Sequence, residues 1–171
     1  MPENAPKTEF YHPIFVTDIP AKGRTYPLKP SDIALKEIAN RLGVPSVEAL
    51  SGKLTASPSK GGFTIVGDIS AQLIRSCVVT LEPVPESISE TFTIRFVKNL
   101  DPDEEPGDDA IDLEPFQVEQ EIDLADLLVQ QVALAMTPYP RKATADEELT
   151  TIPDEKESSP FDVLKQLKNP N

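Results

Sequence analysis

A chain of 171 residues with 39% hydrophobic residues, 18 prolines and a net charge of −13 has room for one domain with a core, diluted by irregular segments. No run approaches the ~18 apolar residues that a membrane span needs, and Glu3, Lys7 and Glu9, with no apolar stretch among them, do not read as a secretory leader. A single cysteine, Cys77, excludes an intrachain disulfide and fits a reducing cytoplasm.

In chain order, residues 1–12 read as a flexible start, 14–17 as a short strand and 26–28 as a second. Ser31 is placed to cap a helix over 32–42 whose Ala34, Leu35, Ile38, Ala39 and Leu42 share a face, and Gly43 closes it. Lys36, Glu37, Asn40 and Arg41 point the other way, with Glu37 and Arg41 at the spacing of a helical ion pair. A short helical turn is expected near 46–50.

From residue 50 the period becomes two. Leu54 and Ala56 lead to a turn at 57–62. Phe63, Ile65, Ile69, Ala71 and Leu73 then alternate with polar or smaller residues, with Gly67 marking a bulge or bend. Residues 77–81 read as another strand, broken by the two prolines of 82–86, and Phe92, Ile94 and Phe96 mark the next. An acidic loop at 101–109 and strand-like pieces at 110–118 follow.

The 121–141 stretch announces a buried helix and then stops it. Asp123 is placed as the N-cap, with Ile122 and Leu127 at the spacing of a hydrophobic staple, and Asp126 adds negative charge in the first turn. Leu124, Leu127, Leu128, Val129, Val132, Leu134 and Met136 fill an arc of roughly 220°, wider than a surface stripe, so the helix must be wrapped. Gln131 falls inside that arc, where a buried amide needs a partner. Pro138 and Pro140 terminate the element. Residues 142–159 form a disordered acidic linker, and 160–168 form a short amphipathic helix carrying Phe161, Val163, Leu164 and Leu167.

These elements predict one α+β domain over 13–141. An antiparallel sheet of five to seven strands, open or barrel-like, would pack on the 123–136 helix, with the smaller helix at 32–42 and a flexible C-terminal tail beyond.

Charge is segregated along the chain. Residues 101–109 hold six acids, 142–159 hold six acids against two bases, and 22–60 hold seven bases against three acids. The basic region supplies candidate RNA contacts at Lys22, Arg24, Lys36, Arg41, Lys53 and Lys60. Cys77 lacks an evident base, since His12 is the only histidine and falls in the loose start, so it reads as a small buried apolar side chain. One Cys and one His do not make a structural zinc site, and the acidic loop is interrupted by Pro102 and Pro106, which argues against a calcium loop. Neither a cofactor, a metal nor a small-molecule substrate is expected.

The run Cys77-Val78-Val79-Thr80-Leu81-Glu82-Pro83-Val84, the strand at 92–96, the 121–141 stretch ending Thr137-Pro138-Tyr139-Pro140-Arg141, and the closing Pro160-Phe161 with Leu164, Leu167 and Lys168 resemble the YceD family. These are large ribosomal RNA subunit accumulation proteins, and the chain is most similar to the alphaproteobacterial type. Many members carry Cys-x-x-Cys where this chain has Cys77 and Thr80, and a further late cysteine that it lacks, so no metal site carries over. The resemblance implies a non-enzymatic cytoplasmic factor for accumulation or processing of large-subunit rRNA in ribosome assembly, meeting ribosomal RNA or a pre-ribosomal particle directly or through a basic ribosomal protein. The alternative is a protein-binding adaptor that uses the acidic loop and the C-terminal helix without touching RNA.

Overall fold

The computed structural model describes residues 10–59, 61–97, 116–117 and 121–144. Its elements are β1 (Pro13–Phe15), a 3-10 turn (Val16–Asp18), β2 (Arg24–Leu28), α1 (Asp32–Leu42), β3 (Ser46–Ser59), β4 (Gly62–Ser76), β5 (Pro83–Val97), β6 (Phe116–Gln117), β7 (Glu121–Asp123) and α2 (Leu124–Ala135). The fold is α+β. One sheet runs β2-β3-β4-β5-β6, antiparallel except for the two-residue β6, and a second small sheet pairs β1 with β7. Among the described residues the sheet stays open and does not close into a barrel.

Strict alternation explains the long strands. Along β4, Phe63, Ile65, Gly67, Ile69, Ala71 and Leu73 are buried while Val66, Asp68, Ser70 and Gln72 are exposed. The β3–β4 ladder stays in register from Leu50–Ala71 to Ser59–Gly62, so residues 57–59, expected in a turn, are paired. The connection shrinks to two residues, and Gly61 takes the positive φ of +77° that such a tight hairpin demands. The helical turn expected near 46–50 is strand instead. Its apolar Val47 and Leu50 stay buried because a bulge between Val47 and Ala49 resets the alternation. Pairing runs unbroken through Gly67, so the bulge expected there lies at the other end of the hairpin.

The apolar face of the sheet meets both helices. Ser31 Oγ accepts the Ala34 N–H at 3.2 Å, and Gly43 ends α1 at φ +65° with Val44 N–H on Ala39 O and Gly43 N–H on Asn40 O, a Schellman closure. Asp123 Oδ1 accepts the Ala125 N–H at 2.9 Å to start α2, and Met136 turns extended just ahead of Pro138. Leu124, Leu128 and Val132 are 0% exposed, packed with Leu54, Ile65, Phe63 and Leu73 of the sheet. Burying the five large apolar side chains of α2 that lie inside contributes roughly 1.5–3 kcal/mol each. The predicted apolar arc is too wide at one side, since Leu134 is 78% exposed.

Residues 10–12, expected to be loose, are tied down. The Tyr11 hydroxyl donates to Glu121, the His12 N–H donates to Asp123 Oδ1 at 2.8 Å, and Leu124 N–H returns to His12 O at 3.0 Å. Asp123 therefore caps α2 and clamps the start of β1 with one carboxylate oxygen.

Candidate functional site

Five of the six basic residues singled out by sequence are described, and they are spread over the start of β2, α1 and β3. Lys22 and Arg24 are exposed at the entry to edge strand β2, and the Arg24 guanidinium lies 5.2 Å over the Tyr26 ring. The same ring receives His12, edge-on at 5.6 Å. Lys36 is exposed on α1, and Lys53 is exposed in β3, directly across from Asp68. Arg41, expected to face RNA, is half-exposed and forms an ion pair with Asp126 of α2. The cause is proximity: α1 and α2 lie side by side, with Ile38, Ala125 and Val129 lining the seam between them. Lys60 lies outside the described residues.

The motif residues around Cys77 do converge, though not as expected. Residues 77–81 form a turn, and β5 begins at Pro83 inside the stretch predicted to break the chain. Pro83 and Pro85 are tolerated because β6 pairs only with Phe96 and Val97, so among the described residues this end of β5 is an edge. Within the turn, Cys77 N–H donates to Glu82 O at 2.8 Å and Leu81 N–H to Cys77 O at 3.0 Å. Leu81 is held at φ +61°, a left-handed conformation that costs a leucine about 1 kcal/mol, and it is 78% exposed. Val78 and Tyr139 are exposed as well, with Val78 N–H bonded to Pro140 O.

Cys77 is fully buried, as a small apolar residue would be, yet its sulfur is also an acceptor. The Thr80 and Lys142 N–H groups both reach Sγ at 3.5 Å. Hydrogen bonding from the Thr80 side chain and backbone, then from Lys142, lowers the thiol from its ordinary value of 9.0 to about 7, against the opposing effect of burial. Lys142 Nζ also pairs with Glu82. Further along β5, Glu86 accepts from Arg75 at 2.9 Å and from the Thr137 N–H at 2.7 Å. Burial would raise the Glu86 carboxyl, but the Thr137 donors and Arg75 outweigh it and hold it below its ordinary value. These bonds staple the segment after α2 onto the β4–β5 end of the sheet. Neither Glu86 nor the exposed Leu81 is marked by sequence periodicity, because Glu86 acts through bonds to the distant Arg75 and Thr137 and Leu81 through turn geometry.

Gln131 is half-buried and sits where two clefts meet between α2 and β5. One cleft, of about 510 Å³, is lined by Glu90, Phe92, Leu134 and Met136. The other, of about 240 Å³, is lined by Ile94, Phe96, Ile122 and Leu127. Among the described residues, no three His, Cys, Asp or Glu side chains gather as a metal site, and no helix is long and apolar enough to cross a membrane. The acidic loop at 101–109 and the apolar residues Phe161, Val163, Leu164 and Leu167 lie outside the described residues.

A family model described as large ribosomal RNA subunit accumulation protein YceD matches residues 65–168, more than half of the chain. The matched span opens in β4 and takes in the Cys77 turn, β5 and α2. No curated protein and no solved structure matches.

Proposed function

The chain belongs to the YceD family, and on that basis we propose that it is a non-enzymatic factor for accumulation or processing of large-subunit ribosomal RNA, acting in ribosome assembly in the cytoplasm. The family match carries this reading. Two placements favour a role without catalysis. The His12 ring packs on Tyr26, and the Cys77 sulfur is buried in a turn where backbone N–H groups face it. A thiol so enclosed has no imidazole to activate it and no open approach for a substrate. The contact with RNA phosphates is assigned to Lys22, Arg24 and Lys36, with Lys53 set against Asp68 and Arg41 engaged by Asp126. The acidic segments at 101–109 and 142–159 face a basic ribosomal protein.

The test is sedimentation of ribosomal particles and precursor rRNA from cells with and without this protein. Loss of large subunits and build-up of precursor is the expected result, and an unchanged large-subunit profile rejects the proposal. The pairing of Arg41 with Asp126 favours a second reading, a protein-only adaptor. Absence of RNA binding selects the adaptor, whereas binding that weakens steeply with salt selects direct contact with phosphates.

A further inference from the structure

The two clefts beside Gln131 form one groove along α2, and its surface chemistry is uneven. The floor is apolar, from Phe92, Ile94, Leu127 and Met136, and Leu134 stands 78% exposed at its lip. The charged residues that line it are Glu90, Asp123 and Asp126, all acidic. Asp123 caps α2 and Asp126 holds Arg41, whereas Glu90 makes no ion pair among the described residues.

We propose that this groove is the intramolecular seat of residues 160–168, whose Phe161, Val163, Leu164 and Leu167 fill the apolar floor while Lys165 and Lys168 face Glu90 and the acidic rim. Three observations select this occupant. Charge comes first: the segment 161–168 carries two lysines and one acid, whereas 101–109 carries six acids and would be repelled by the same rim. Reach comes second. The described chain leaves at Thr144, just after the Lys142–Cys77 and Thr137–Glu86 bonds that pin it beside the Met136 end of the groove. Sixteen residues then separate Thr144 from Phe161, enough to span up to about 55 Å, three times the ~18 Å length of α2. Size comes third, since nine residues in helical form measure about 13 Å and fit alongside α2. Tethering supplies an effective concentration of about millimolar, so a four-residue stripe suffices to hold the contact.

The inference concerns the chain alone and does not depend on an rRNA role. Met136 provides the probe, because the chain has two methionines and Met136 lines the groove. The full chain is compared with full-length Phe161→Ala/Leu164→Ala and Lys165→Glu/Lys168→Glu variants by methyl NMR, at several protein concentrations. Docking predicts that the Met136 and Leu134 methyl resonances move in both variants, that Glu90→Lys restores them in the charge-reversed chain, and that dilution changes nothing. Resonances that stay fixed overturn the proposal. So does an effect that disappears on dilution, which assigns the groove to a second copy.

Discussion

A Cβ added to Gly52 would stand 2.5 Å from Leu128 Cδ1, so α2 rests on β3 at an inner-face position that has no side chain. Leu128 is 0% exposed and fills the space that Gly52 leaves. Gly52→Ala is therefore expected to cost about 1–3 kcal/mol by overpacking, and Leu128→Ala about 2–5 kcal/mol by leaving a cavity. The double variant should cost less than the sum, since the new methyl occupies part of the vacated volume. Chemical denaturation of the three variants measures this, and strict additivity contradicts the contact.

The Cys77 turn predicts a pH dependence with a definite sign. The folded thiol titrates at about 7 and the ordinary value is 9.0. A folded-state value below the unfolded one means that the unfolded chain holds more protons between them, so stability rises with pH across about 7 to 9. This contribution is complete above the unfolded value and is lost as the pH falls through about 7. Thermal melts between pH 6 and 9 should show the slope in the natural chain, and Cys77→Ser should flatten it. Equal slopes in both chains refute the assignment.

Leu81 sits at positive φ while exposing its side chain, so its conformation is strained and its packing contribution is small. Leu81→Gly is expected to leave stability unchanged or raise it by up to about 1 kcal/mol, and Leu81→Ile to lower it by about 1 kcal/mol. Unfolding midpoints of the two variants decide. A destabilised glycine variant would mean that the side chain packs against something in the folded protein.

For direct RNA binding, charge reversal at Lys22 or Arg24 should weaken the complex and reduce the log–log salt slope by about 1 for each phosphate that is no longer neutralised. Arg41→Glu should leave RNA binding in place. Its ion pair with Asp126 is half-exposed and contributes about 0.2–1 kcal/mol, so that variant should lose a little stability instead. A filter-binding salt series on these variants separates the two outcomes.

Legibility in the sequence follows the kind of signal involved. Period-two runs and capped, staple-flanked helices are local signals, and they place the helices at 32–42 and 123–136 against the observed Asp32–Leu42 and Leu124–Ala135. Two of the misplaced elements share one cause. At 46–50 and 83–86, tertiary pairing overrides local propensity: a bulge lets Val47 and Leu50 stay inside a strand, and β4 pairs with β5 through Pro83 and Pro85. The basic residues are legible as a cluster along the chain but not as a surface, because α1 turns Arg41 towards α2 while β3 carries Lys53 past Asp68. The Cys77, Glu82 and Pro140 motif is visible in the sequence, but its meaning as a staple between distant segments emerges only in three dimensions.

The bond from the His12 N–H to Asp123 joins residues 111 apart in the chain, and the pairing of β1 with β7 depends on the same closure. During synthesis, β2 to β5 can zip up hairpin by hairpin, while the first strand waits for a mate made more than a hundred codons later. At about 5–20 residues per second that wait is roughly 5–20 s. Throughout it Ile14, buried in the finished protein, stays in water. A ribosome stalled before codon 121 should therefore display a sheet whose oily face is covered by α1 but not by α2, and that nascent intermediate is the stage at which chaperone capture is expected to peak.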